Sequence, residues 1–144
     1  MLNLFKDYLK QGQVKKKTPD PEEAKALFKQ SQDRIEYIQN KDINEKAAKF
    51  ILQDSYESLR ETAQSLMSIK GFKPYSHEAT IAFIKEFYSD NFSEEEIYKF
   101  DYFRQLRNNS VYKAAEVSKE DAENLLAFTK HVIKKVQELL NTKV

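Results

Sequence analysis

Hydrophobic side chains recur every three or four positions through most of this chain. That spacing places them on one face of an α-helix, and no segment sustains the alternation that is typical of a β-strand. The pattern predicts four long helices, near residues 21–40, 43–70, 94–113 and 119–141, and a short helix near 77–89. We therefore expect an all-α fold, an antiparallel bundle of about five helices, four long and one short, preceded by an N-terminal arm.

The predicted helix ends carry recognisable capping residues. Serine or aspartate at an N-cap accepts a hydrogen bond from a free backbone N–H group, and a glutamate three residues later can complete a capping box. The predicted N-caps are Asp20, Asp42, Ser76, Ser93 and Ser118. Gly71 is the expected C-cap of the helix near 43–70, because glycine adopts the left-handed conformation, and Pro74 prevents the helix from continuing.

Residues 1–19 are expected to form an arm that is distinct from the bundle of residues 20–144. A cluster of apolar residues predicts a short amphipathic helix, and three consecutive lysines, Lys15 to Lys17, follow it. The favoured interpretation is a docked arm with a solvated charge run. The alternative is a segment that contacts a partner or a nucleic-acid backbone.

The overall charge excludes a protein that binds nucleic acid through its net charge alone. The 24 basic and 23 acidic side chains leave a formal net charge of +1, so any such binding must come from a local patch. The absence of cysteine excludes disulfides, a thiol nucleophile and thiolate metal sites. Apolar runs are too short to span a membrane, and no apolar leader follows the start, so we expect a cytoplasmic protein without membrane contact.

Few conventional catalytic constellations are present. No glycine-rich loop precedes a helix, so neither a P-loop nor a dinucleotide-binding fingerprint is found. His77 and His131 are the only histidines, and their spacing from carboxylates does not indicate a metal site. We expect His77 at the surface and His131 at the surface or half-buried. No metal and no cofactor is predicted.

The segment from Asp101 to Tyr112 is the most informative one for function. It places Arg104, Arg107 and Asn108 on neighbouring turns of a predicted helix that also carries apolar residues. Guanidinium groups are planar forks that suit phosphate or carboxylate. The arginines therefore require either a partner inside the fold or an external ligand.

Internal partners are available on the helix near 43–70. Asp54 and Glu61 are seven residues apart, hence nearly on one face. If this helix and the one near 94–113 are antiparallel neighbours, these carboxylates could meet Arg104 and Arg107. An internal pair, with these groups or with Asp101, is the favoured interpretation for Arg104. For Arg107 and Asn108 a functional role and an internal, structural role are equally favoured.

The order of elements resembles the HEPN domains, especially their small stand-alone prokaryotic members. The resemblance covers residues 20–141. It is carried by the helical segment 53–66, by the corner Lys70-Gly-Phe-Lys-Pro-Tyr-Ser-His77 and by Leu106-Arg-Asn-Asn-Ser-Val-Tyr112. It implies a helical bundle that forms a homodimer, with a cleft between the two copies. Many members of the family that this chain resembles are metal-independent ribonucleases with an R-x(4–6)-H motif. Others bind nucleotide or RNA, and small members often accompany a minimal nucleotidyltransferase in toxin–antitoxin-like pairs.

This chain departs from the motif at one position. Arg107 and Asn108 match its start, but Tyr112 stands near the place of the histidine. Tyrosine, with a pKa of about 10, is a poor general base at neutral pH, although it can donate a hydrogen bond to phosphate or stack on a base.

Three hypotheses follow from the departure. The favoured one is a dimer that binds nucleotide or RNA through Arg104, Arg107, Asn108, Tyr112 and Asp54. The second is a ribonuclease that uses Arg107 with Tyr112 or with Asp54. The third is a purely structural bundle, in which the polar residues only fix the register of the helices.

Overall fold

A computed structural model describes residues 2–142 as a helical bundle with a two-stranded sheet. Its elements are α1 (Phe5–Lys10), β1 (Val14–Lys16), α2 (Pro21–Gln39), α3 (Glu45–Lys70), β2 (Phe72–Pro74), α4 (His77–Phe87), α5 (Glu94–Tyr112) and α6 (Lys119–Thr142). The predicted all-α class is confirmed, and the four long helices and the short one lie close to their expected bounds. The two short strands were not predicted.

Most of the predicted caps are confirmed. The Asp20 side chain accepts a hydrogen bond from the Glu23 N–H at 3.0 Å, Ser76 caps α4 and Ser93 forms a full capping box with Glu96. The prediction of Asp42 as the cap of α3 is wrong. Asn44 is the N-cap, since its side chain accepts from the Ala47 N–H at 2.9 Å and the helix begins at Glu45.

Helix α3 is the central element of the bundle. It packs against α2, α6, α4 and α5, and its connection to α2 spans only residues 40–44, so these two helices form an antiparallel hairpin. Large side chains of α3 are almost completely enclosed, among them Leu52, Tyr56, Leu59 and Leu66. Polar groups on α3 are therefore presented either to a neighbouring helix or to the gaps between helices.

The N-terminal arm is docked on the bundle. The ring of Phe5 contacts those of Phe72, Phe83 and Phe87 at centroid distances of 5.3 to 5.7 Å. Strand β1 pairs antiparallel with β2, so that Val14 lies opposite Pro74. Aromatic contacts therefore hold the arm against α4, and strand pairing holds it against β2.

Gly71 connects α3 to this small sheet. It adopts a positive φ of 85° and is the predicted C-cap of α3. A Cβ atom here would lie 2.5 Å from the Lys17 carbonyl oxygen, and the Lys17 N–H donates to the Gly71 carbonyl at 2.9 Å. The position therefore needs glycine both for its backbone angle and for the close passage of the arm.

Among residues 2–142, no helix combines the length and the apolar character that crossing a membrane requires.

Candidate functional site

The Arg107 site lies where the middle of α3, the first residue of α4 and the C-terminal half of α5 meet. We use this name for Tyr56 from α3, His77 from α4, and Arg107, Asn108 and Tyr112 from α5. Tyr56 is buried, with 1 % of its surface exposed, and its ring is the floor that both His77 and Arg107 contact. Burial raises the pKa of Tyr56 far above its ordinary value, so the phenol stays neutral.

Arg107 is held by aromatic rings and an amide. Its guanidinium carbon lies 5.8 Å from the centroid of the Tyr56 ring and 5.7 Å from that of the Tyr112 ring. One terminal nitrogen, Nη1, donates a hydrogen bond to Asn108 Oδ1 at 3.1 Å. Within residues 2–142, no carboxylate forms an ion pair with Arg107. Its charge is therefore stabilised by aromatic faces, and the guanidinium can still accept an anionic partner.

Arg104 has a different environment, although it is only one turn away. Its Nε donates to Asp101 Oδ1 at 2.8 Å, and its Nη1 lies 3.9 Å from Glu78 Oε1. The Arg104 side chain is 15 % exposed. Arg104 is thus paired inside the fold, because carboxylates of α5 and α4 balance its charge.

A second internal pair borders the site on α3. Arg60 donates through its guanidinium to Glu57 and, through Nη1, to Gln64 Oε1 at 2.8 Å. Burial is the largest single influence on Glu57 and opposes its ionisation, but the hydrogen bond from Arg60 and the charges of the surrounding arginines together outweigh burial and lower the pKa of Glu57. Glu57 is thus already engaged, although it lies close enough to Arg107 to be stabilised by its charge.

His77 belongs to this site and not to the open surface, so the expectation of a surface histidine is wrong. The imidazole is half-buried and stacks on the Tyr56 ring at a centroid distance of 5.6 Å and an interplanar angle of 16°. Burial lowers the pKa of His77, and the positive charges of Arg107 and Arg60 lower it further. The available signal was its place at the end of the Lys70–His77 corner, since a side chain at the first position of α4 can reach back over α3.

Two carboxylates that were expected near the α5 arginines lie elsewhere. Glu61 is 2 % exposed and pairs with Arg34 of α2, whose Nε lies 3.1 Å from Glu61 Oε1, and it also accepts a hydrogen bond from Gln30. Asp54 is exposed and lines a groove with Tyr37 and Lys41 at the end of α2. The face of α3 that carries Asp54 and Glu61 is therefore turned towards α2.

The remaining predicted residues are brought together. Asn108 is half-buried against Arg107, and Tyr112 is 73 % exposed beside it. His131 lies outside this cluster, where its Nε2 is 2.7 Å from Glu96 Oε2. The described residues contain no group of three or more histidine, aspartate or glutamate side chains that could hold a metal ion.

The site thus combines a cationic fork, an exposed phenol ring, an amide and a partly enclosed imidazole on an aromatic floor. Guanidinium and imidazole groups recognise phosphate, and an exposed aromatic ring can stack on a base. These features lie on an α-helical bundle, with the polar segment near the end of a long helix. The HEPN domain family matches residues 24–139, and the chain belongs to this family. No curated protein matches the chain.

Proposed function

We propose that this HEPN-domain protein binds the phosphate groups of RNA or of a nucleotide at the Arg107 site. The observation that carries the proposal is the half-buried Arg107, whose guanidinium contacts two tyrosine rings and has no carboxylate partner among the described residues. Arginines that serve only the fold are usually paired, as Arg104 is. Arg107 is pre-oriented by Tyr56 and Asn108, so little conformational entropy is lost when an anion binds.

Tyr112 extends the site from phosphate towards a base. Its ring is 73 % exposed and lies beside the Arg107 guanidinium. Stacking of a base on an aromatic side chain contributes about 1–3 kcal/mol and tolerates different bases. The proposed ligand is therefore a nucleotide or a single-stranded RNA segment, with phosphate at Arg107 and a base near Tyr112.

Binding can be measured by the fluorescence anisotropy of a labelled single-stranded RNA of about ten nucleotides, with ATP as competitor to separate RNA from mononucleotide binding. We expect Arg107→Ala to weaken binding by at least about tenfold, since charge-assisted hydrogen bonds contribute about 1.5–3 kcal/mol. Lys25→Ala on α2 is the matched control, because it removes one positive charge from an exposed residue. An equal loss of affinity in both variants would refute a defined site and indicate general charge attraction.

The structural alternative is tested by the same variants. If Arg107 only fixes the register of the helices, Arg107→Ala should lower the free energy of unfolding markedly and wild type should bind no RNA. If Arg107 binds ligand, the free energy of unfolding should change by about 1 kcal/mol or less, since no carboxylate of the described chain loses an ion pair.

The second candidate function is a ribonuclease in which Arg107 and Tyr112 are the catalytic residues. It is favoured by the contact between these two side chains. It predicts cleavage of the same RNA in EDTA, lost in Arg107→Ala and in Tyr112→Phe. Binding without cleavage would leave the protein as a binding module. From the resemblance we also propose a minimal nucleotidyltransferase as the partner of such a module.

We further propose that two copies associate through α5, so that two Arg107 sites face one cleft. Helix α5 packs on α3 and α4 and leaves three tyrosines exposed along its length, Tyr98, Tyr102 and Tyr112. Sedimentation should give about twice the chain mass of 17.0 kDa, and Tyr98→Glu should give monomers. Tyr37→Glu on α2 is the matched control, because Tyr37 and Tyr98 are both 69 % exposed. Monomeric wild type would refute the proposed association.

A further inference from the structure

His77 shares the aromatic floor of Arg107 but comes from a different element. The imidazole stacks on Tyr56 at 5.6 Å, and the Arg107 guanidinium carbon lies 5.8 Å from the same ring. Contact with a single ring brings the two side chains into one small region between α3, α4 and α5. No role in binding follows from the HEPN motif for this residue, since it lies outside the segment of α5 that resembles the motif.

The two nitrogens of the imidazole are not equivalent. Nδ1 is fully buried and has no hydrogen-bond partner. Among the described residues Nε2 makes no hydrogen bond either, yet it is not enclosed in this way. An N–H at the buried Nδ1 would have no acceptor, whereas an N–H at Nε2 can be satisfied by water or by a ligand, so the tautomer with its proton on Nε2 is the favoured one. Nε2 is also the ring nitrogen that a ligand can reach.

The charges around His77 are mainly positive. From α5 and α3 the groups that act on it are three arginines and one carboxylate, namely Arg104, Arg107, Arg60 and Glu57. Its neighbour on α4, Glu78, faces Arg104 and Tyr8. Such surroundings disfavour a cationic imidazole in the free protein and favour an anion placed among the arginines.

We propose that His77 is a second phosphate ligand of the Arg107 site and donates a hydrogen bond from Nε2 to the anion. The inference rests on the proposed function and deepens it, because it names the group that completes the anion site from α4. Arg107 would supply the fixed positive charge and His77 a directional donor. Stacking on Tyr56 holds the ring in place, with Nδ1 towards the interior.

A proton linkage follows from this arrangement. In the free protein, burial and the arginines lower the pKa of His77. A bound phosphate partly cancels the positive charge and raises that pKa again. Affinity should therefore increase as the pH falls from the pKa of the complex towards that of the free protein, and it should be constant above and below this interval.

The closing experiment uses the full-length protein and follows both histidines by NMR titration, with and without inorganic phosphate. The chain has only two histidines, so His131 on α6, bonded to Glu96, is the internal control. We expect phosphate to raise the pKa of His77 and to leave that of His131 unchanged. RNA binding is measured in parallel across the same pH range for wild type, His77→Gln, His77→Ala and His131→Gln.

His77→Gln keeps a neutral N–H donor near the position of Nε2, so it should bind RNA within about threefold of wild type at neutral pH but without pH dependence. His77→Ala should weaken binding by about tenfold. His131→Gln should behave as wild type. His77→Gln and the NMR titration keep the test valid if His77→Ala unfolds because the stacking on Tyr56 is lost.

Failure of this inference can be told apart from failure of the proposed function. If Arg107→Ala weakens RNA binding while phosphate leaves the pKa of His77 unmoved, His77 is not a ligand and the Arg107 site stands. If the same pH dependence persists in His77→Gln, the inference is also overturned. If wild type binds neither phosphate nor RNA at any pH, both proposals are refuted.

Discussion

Replacing Arg34 should lower the free energy of unfolding more than replacing either Arg104 or Arg107 of α5. Glu61 of α3 is 2 % exposed, and Arg34 is its only ion-pair partner among the described residues, with Nε and Nη2 at 3.1 and 3.3 Å from the two carboxylate oxygens. Arg34→Met keeps an unbranched aliphatic stem but removes the guanidinium, and so leaves the Glu61 carboxylate with Gln30 alone.

The expected magnitude follows from that burial. Breaking a buried ion pair by removal of one partner costs about 3–5 kcal/mol, because the other charge remains in a poorly solvated place. For a domain of this size the loss corresponds to a decrease in Tm of roughly 10–15 °C. Replacement of both partners, in the double variant Arg34→Met with Glu61→Met, should restore most of the stability, since no unpaired charge then remains buried.

Urea unfolding followed by circular dichroism gives the free energies for the two single variants and the double variant. Their double-mutant cycle isolates the coupling between Arg34 and Glu61. A cost below about 1 kcal/mol for Arg34→Met would refute the reasoning. So would a coupling of Glu61 to Arg104 as large as its coupling to Arg34, because Glu61 would then face α5.

Two further perturbations test other parts of the fold. Gly71→Ala should lower Tm by several degrees more than Gly12→Ala. Both glycines have a positive φ, but only at Gly71 would a Cβ atom meet backbone, the Lys17 carbonyl oxygen at 2.5 Å. Equal decreases in Tm would refute the argument from close approach. Burial opposes ionisation of Glu96, yet the hydrogen bond from Lys135 and its other bonds lower its pKa to about 2. The contribution of Glu96 to stability is therefore full above its unfolded pKa of about 4.5 and is lost as the pH falls towards 2. The difference in unfolding free energy between wild type and Glu96→Gln should shrink over that interval. A difference that stays unchanged would contradict the prediction.

Local signals explain why the helices could be predicted from the sequence. An N-cap such as Asp20 or Ser93 is completed within three residues, and the turn at Gly71 is set by its own backbone angle. The prediction of Asp42 as an N-cap was wrong because Asn44, two residues later, offers a competing acceptor, and the sequence pattern could not rank the two. Such errors move an end by about two residues and leave the element in place.

Non-local contacts explain the features that were missed. Strand β1 has three residues and exists only because it pairs with β2, far along the chain. Asp54 and Glu61 share one face of α3, as the helical period predicts, but the neighbour of that face is α2 and not α5. The period determines which residues lie together, whereas the packing of whole helices determines what they meet.

The same limit applies to His77. Its position at the start of α4 was visible in the sequence, together with the corner that precedes it. Its stacking on Tyr56 depends on how α4 crosses α3, and no local pattern contains that information. A histidine at a helix start is usually solvated, so only the assembled fold distinguishes this one.

The contrast between Arg104 and Arg107 is the strongest argument for a ligand at this place. Both are arginines of one helix, one turn apart, and the charges of both act on Tyr56. Arg104 has Asp101 and Glu78 as partners, whereas Arg107 has aromatic rings and an amide. An arginine that served only the fold could be matched by a carboxylate, as Arg104 and Arg34 are. A half-exposed guanidinium that is oriented but left without a counter-ion is instead suited to an anion from outside the chain.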